Sequence, residues 1–198
     1  MSHYARNSSR SFTFTLAAAL ALLFLLLMAA PTRAAGGEED ASHPLYTPLS
    51  LNQYVPPPAL DWDPRLNLRG AAYIPAQVQP GQGYWRLVKA VWFDKEESGG
   101  RHHIYVDVLS EAGERQVGAP VQVSWNDGAT TIITEAKPGE AYAANFAMYA
   151  LAPAYAAQPH DGATADAVTG MGLGDIEDPY HAVHTSYGLT WRWTLAPY

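Results

Sequence analysis

The chain has 198 residues, no cysteine, and 12 Lys plus Arg against 19 Asp plus Glu, for a formal net charge of −7. The missing thiols exclude disulfide cross-links, thiolate metal sites and a thiol nucleophile, so the folded state must rest on a packed core. The acidic balance speaks against nucleic acid and anionic lipid as natural partners, both of which call for basic stripes.

In chain order, His3, Arg6 and Arg10 precede an apolar run from Phe12 to Ala30, and Thr32-Arg33-Ala34 supplies a small-residue exit. This is the layout of a secretory signal peptide over residues 1–34. The rival reading is an uncleaved membrane anchor, since about twenty apolar residues span a bilayer. Cleavage is favoured by the weakly apolar start Phe12-Thr13-Phe14-Thr15 and by Pro31, which ends any helix. On either reading the remainder is extracytoplasmic or secreted, because the positive charges precede the apolar segment.

Residues 35–61 read as a flexible Pro-rich tether. Gly36-Gly37-Glu38-Glu39-Asp40 is small and charged, and Pro56-Pro57-Pro58 favours extended polyproline backbone. Trp62, Leu66 and Leu68 are the first residues suited to dock on a core, which places one domain over 62–198.

From Gly83 onward the pattern has period two. Tyr84 to Asp94 is apolar on both parities, as in a strand covered on both sides. Ile104, Val106 and Val108 alternate with His103, Tyr105 and Asp107, and Val121, Val123 and Trp125 with Gln122 and Ser124. Tyr187, Leu189, Trp191 and Trp193 alternate with Gly188, Thr190 and Arg192, which predicts a final strand with one buried face. Turn signals fall between these runs: Ser98-Gly99-Gly100, Glu111-Ala112-Gly113-Glu114, Gly118-Ala119-Pro120 and Asn126-Asp127-Gly128. The stretch from Ala141 to Ala157 allows a short helix bounded by prolines. The fold expected is all-β: an antiparallel, immunoglobulin-like β-sandwich of about seven strands behind the signal segment and tether. Trp85, Trp125, Trp191 and Trp193 are expected in its core.

The block Ile104 to Leu109, then Glu111-Ala112-Gly113, Val117-Gly118, Val121-Gln122-Val123 and Asn126-Asp127-Gly128 with Thr134, resembles bacterial immunoglobulin-like and carboxypeptidase-regulatory-like (prealbumin-like) modules. The resemblance implies a sandwich that serves as a spacer, adhesive unit or carbohydrate-binding accessory, without catalysis of its own. Two features add to that pattern, the His102-His103 pair and the run Gly170-Met171-Gly172-Leu173-Gly174. The glycine run has no following Lys-Ser/Thr and no strand-to-helix context, so it reads as a turned connection and not as a nucleotide loop.

Candidate chemistry centres on histidine. His102, His103, His181 and His184 lie among carboxylates in sequence, and imidazole with carboxylate suits a divalent metal. Successive strand residues point to opposite faces, so His102 should be buried with Ile104 and His103 accessible with Tyr105. The alternative to a metal is a packed, hydrogen-bonded core histidine. Glu97, Trp62, Tyr149, Tyr155 and Tyr180, with Tyr54, fall in stretches without periodicity, where a carboxylate or a planar ring can meet a sugar or a partner protein. No nucleophile elbow or opposed carboxylate pair is visible. The expectation is therefore an exported, non-catalytic binding or spacer module with no cofactor, meeting a cell-surface glycan or another extracellular protein. A ligand-binding module using the His102/His103 region with a carbohydrate or divalent metal, and a small metal-dependent hydrolase, are the alternatives.

Overall fold

The computed structural model describes residues 56–198. The signal segment, Tyr54 and most of the tether lie outside the described residues. In chain order the elements are β1 (Asp61–Trp62), α1 (Arg65–Leu68), β2 (Ala72–Ile74), β3 (Gly83–Phe93), α2 (Lys95–Ser98), β4 (His103–Leu109), β5 (Pro120–Trp125), β6 (Gly128–Ile133), β7 (Ala144–Ala147), β8 (Tyr155–Pro159), β9 (Ala167–Met171) and β10 (Ser186–Leu195). They form two five-stranded sheets, in the order β1-β3-β10-β4-β7 and β2-β9-β8-β5-β6. The molecule is an all-β sandwich, as the alternation predicts. Most neighbours are antiparallel, while β1 with β3 and β10 with β4 run parallel. The strands beyond the expected seven are short ones such as β1, β2 and β7, too brief to show a period in sequence. The stretch that allowed a helix, Ala141 to Ala157, holds β7 and the start of β8 instead.

The core lies between the inner faces. Ile104, Val106, Val108, Tyr187, Leu189 and Trp191 come from the first sheet and Val121, Val123, Tyr155, Ala157, Val168 and Met171 from the second, all buried. The double-sided apolar character of Tyr84 to Asp94 has a local cause. Thr190 pairs with Lys89 but Trp191 pairs with Leu87, so β3 carries one extra residue, Val88, as a bulge. Trp85 and Leu87 point inward before the bulge, and Ala90 and Trp92 point inward after it. Of the tryptophans expected in the core, Trp85 and Trp191 are buried, while Trp125, the last residue of β5, and Trp193, two residues from the end of β10, are half-buried near the strand ends, each packed over a glycine, Gly128 and Gly83. The glycine run is not a simple connection: Gly170 and Met171 end β9, and Gly170 (φ 78°) lies against the backbone of Gly70.

Ser98-Gly99-Gly100 does not close a hairpin. Asp94 caps α2 by accepting from the Glu97 amide at 2.8 Å while the Glu97 carboxylate accepts from the Asp94 amide at 3.0 Å, a capping box, and Gly99 (φ 56°) ends the turn. That turn carries the chain past the position later filled by β10, so β3 and β4, adjacent in sequence, are not neighbours in the sheet.

Candidate functional site

The arrangement of β10 decides the outer face of the first sheet. Its outward residues there are small: Ser186 faces Phe93 on β3, and Gly188 faces Val91 on β3 and Tyr105 on β4. A trough therefore runs along the middle of the sheet between rows of larger side chains. Tyr142, from the loop before β7, lies across Gly188; any side chain at that glycine would meet the Tyr142 ring and Phe93. Tyr142 stacks against Tyr105 with ring centroids 5.6 Å apart.

A partly buried ion pair holds that loop in place. Arg115 grips the Asp107 carboxylate through Nε and Nη2, both at 3.0 Å, and donates from Nη1 to the Lys137 carbonyl at 3.1 Å and from Nη2 to the Glu140 carbonyl at 3.0 Å. The fork geometry of guanidinium fixes two carbonyls and a carboxylate at once. Burial, and then the negative charge of Asp107, push the Tyr142 phenol above its ordinary range, so it stays a protonated hydrogen-bond donor.

Between these parts lies an open cleft of about 300 Å³. Phe93 and Tyr105 are its aromatic sides, Ser186 its floor, and Tyr142 with Glu140 one lip. The other lip comes from Glu97 and Ser98 on α2 and from Arg101 beyond it. Glu97 is already engaged, being 3.0 Å from Arg65 as well as closing the capping box. Arg65 itself is anchored on Asp63 and lies 5.3 Å over the Trp92 ring. Burial raises the Asp63 carboxyl, but hydrogen bonds from the Arg65 side chain and from the Arg65 and Trp92 amides, with the Arg65 charge, hold it net below its ordinary range.

The predicted residues divide. β4 begins at His103, so His102 precedes the strand and escapes strict alternation; both rings are half-buried and stack on one side, centroids 5.2 Å apart. The expectation of a buried His102 and an accessible His103 is corrected on that ground. His184 joins them, its ring 4.6 Å from His102 and its Nδ1 2.9 Å from the Gly100 carbonyl. His181 pairs with Asp178 at 2.5 Å. Among the described residues no three His, Asp or Glu side chains are gathered as ligands for a metal ion. Tyr149 is 79 % exposed and lies edge-on to His102, and Tyr180 is 85 % exposed. Tyr155 is not a surface ring: it is buried in the core and its hydroxyl accepts the Tyr149 and Ala150 amides. Its inward parity on β8 follows from Ala157 two residues on. Trp62 packs against the core and donates from Nε1 to Asn67 at 3.0 Å.

Of all these residues only Glu97 lines the cleft directly. His103 lies beside it, its ring 5.4 Å from Tyr105 and its amide donating to the Ser186 hydroxyl at 3.1 Å. Sequence reading missed Phe93, Arg101, Glu140 and Tyr142. The signal present in sequence was Gly188, a glycine in mid-strand, which marks a close approach by another group.

The His103 imidazole is held below the ordinary histidine range, first by burial and then by the positive charges of His102 and Arg101. The native state thus binds fewer protons there than the unfolded chain. The stability this contributes is complete above the unfolded value of about 6.5 and is lost as pH falls through the folded value. Melting temperature should therefore begin to drop as pH falls through the unfolded value of about 6.5, and His103→Gln should flatten the onset of that drop. An unchanged slope in the variant would refute the assignment. Asp63 titrates outside this window, because its carboxyl lies below even the usual value of about 3.9.

Comparison of the chain with protein-family models, with curated proteins and with solved structures gives no match.

Proposed function

We propose that this chain is an exported, non-catalytic binding module acting at the cell exterior, and that it takes part of a cell-surface glycan into the cleft on the outer face of the first sheet. One observation carries the reading: a central strand reduced to Ser186 and Gly188 leaves a trough, and a clamped loop lays Tyr142 across it beside Tyr105. A small concave site with aromatic sides and a few polar groups suits a sugar-sized ligand. Catalysis is disfavoured by the same geometry. Of the two carboxylates at the cleft, Glu97 is committed to Arg65 and to the helix cap, which leaves Glu140 without a free carboxylate partner for paired acid and base work.

A glycan array probed with the mature protein tests this. Binding is expected, and Tyr142→Ala should weaken it by about tenfold while leaving the far-UV spectrum unchanged. Gly188→Ala should act similarly by displacing the Tyr142 ring. No glycan signal from the wild type would leave the module as a spacer. Binding unaffected by both variants would move the ligand away from the cleft.

A further inference from the structure

We infer that the group held in the cleft is a zwitterion, an ammonium joined to a phosphate as in phosphocholine, carried on the glycan ligand. This rests on the reading of the cleft as the ligand site. The cleft presents one guanidinium and one carboxylate that are both uncommitted. Arg101 uses Nε to donate to the Ser98 carbonyl at 2.9 Å, which leaves its terminal nitrogens available, and it lies 6.0 Å over the Tyr105 ring. Glu140 is fixed through its carbonyl by Arg115, so its position is set while its carboxylate is unused. Among the described residues neither Arg101 nor Glu140 makes an ion pair, with the other or with any third group, although both line the same cleft of about 300 Å³. The other carboxylate at the rim, Glu97, is engaged by Arg65 at 3.0 Å, a guanidinium it shares with Asp63 and Asp94.

The Tyr105 phenol records the same arrangement. Burial raises it most, and then Arg101 lowers it and Glu140 raises it, so both charges act on one ring. Both charged side chains are exposed at the rim of the cleft, and a neutral sugar would make use of neither charge. A simple cation or a simple anion would satisfy one and be repelled by the other. A phospho-amine satisfies both: its phosphate takes the fork of Arg101, and its ammonium meets Glu140 and the faces of Tyr142 and Phe93, where cation–π attraction adds to the ion pair.

Titration calorimetry of the mature protein with phosphocholine, choline chloride, inorganic phosphate and a neutral oligosaccharide, at two salt concentrations, tests the assignment. Phosphocholine is expected to bind at least about tenfold more tightly than choline or phosphate alone, with affinity falling at high salt. Glu140→Gln should reduce phosphocholine binding to the level of phosphate, and Arg101→Gln to the level of choline, while Arg101→Lys should restore part of the loss. Phosphatidylcholine vesicles form a further arm; binding to vesicles but not to free phosphocholine would overturn the glycan source in favour of a membrane surface. A neutral oligosaccharide that binds as tightly as phosphocholine, with no effect of the charge variants, would overturn the zwitterion and leave the cleft reading standing. No binding by any probe, or binding untouched by Tyr142→Ala, would overturn both.

Discussion

Trp191→Ala is expected to lower stability by about 3 to 5 kcal/mol, the usual range for deleting a buried large aromatic side chain. Trp191 is fully buried at the middle of β10, paired with Leu87 on β3 and Val108 on β4. Its indole also donates from Nε1 to the Asp166 carbonyl at 2.9 Å, a bond that ties the first sheet to the entry of β9 in the second. Alanine leaves a void and an orphaned carbonyl, so both cavity and hydrogen-bond costs apply. For a domain of this size the melting temperature should fall by roughly 10 °C. Arg192, the next residue, is half-buried and reaches out to the Glu111 carbonyl, so Arg192→Ala should stay within about 1 kcal/mol. Chemical denaturation of the two variants side by side checks the contrast; equal losses would mean that β10 is buried on both faces along its whole length.

Asp166→Ala should be of similar severity for a different reason. The residue is 1 % exposed, and its carboxylate accepts from three donors on β2, the loop just after it and β3: Oδ1 takes the Ala76 amide at 2.8 Å, and Oδ2 takes the Leu87 amide at 2.8 Å and the Tyr73 hydroxyl at 3.0 Å. Hydrogen bonds to a charged acceptor are the strong ones, and each donor left without a partner in the interior costs about 1 to 3 kcal/mol. A loss of about 4 kcal/mol is expected. Asp166→Asn is the sharper test, because it preserves shape while placing an amide donor against a backbone donor at one of the two oxygens. It should lose more than about 1 kcal/mol. An Asn variant as stable as wild type in urea would show that one oxygen suffices.

What was legible in the sequence was the alternation, and it placed the long strands well. Ile104, Val106 and Val108, Val121 and Val123, and Tyr187, Leu189 and Trp191 all face the core as their parity demands. The register of β3 was not legible, because a single extra residue at Val88 reverses the parity and makes the whole segment look apolar on both sides. Neighbour relations were also hidden. Ser98-Gly99-Gly100 looks like the corner of a hairpin, and nothing local says that a strand from the far end of the sequence separates β3 from β4. The cleft was hidden for the same reason, since it needs Phe93, Arg101, Tyr105, Tyr142 and Ser186, which meet only through that long-range pairing. The histidines were the opposite case. Their clustering was visible, but ring stacking depends on where β4 begins, and a boundary shift of one residue decides whether alternation applies to His102.

The central place of β10 sets an order on how the molecule is assembled. Residues 83–147 carry β3, β4 and β7, three of the five strands of the first sheet, yet the sheet stays split into two pieces until Ser186–Leu195 thread between them. Closing such a distant pairing carries a loop entropy cost that is recovered only when the strand zips on both sides, so folding should be slow and end on a late, cooperative step. Until then the flanks of β3 and β4 are bare edges, able to pair with a neighbouring chain. The cleft has no floor during that interval, because Ser186 and Gly188 arrive on the same strand. Competence of the outer face and completion of the sheet are one event.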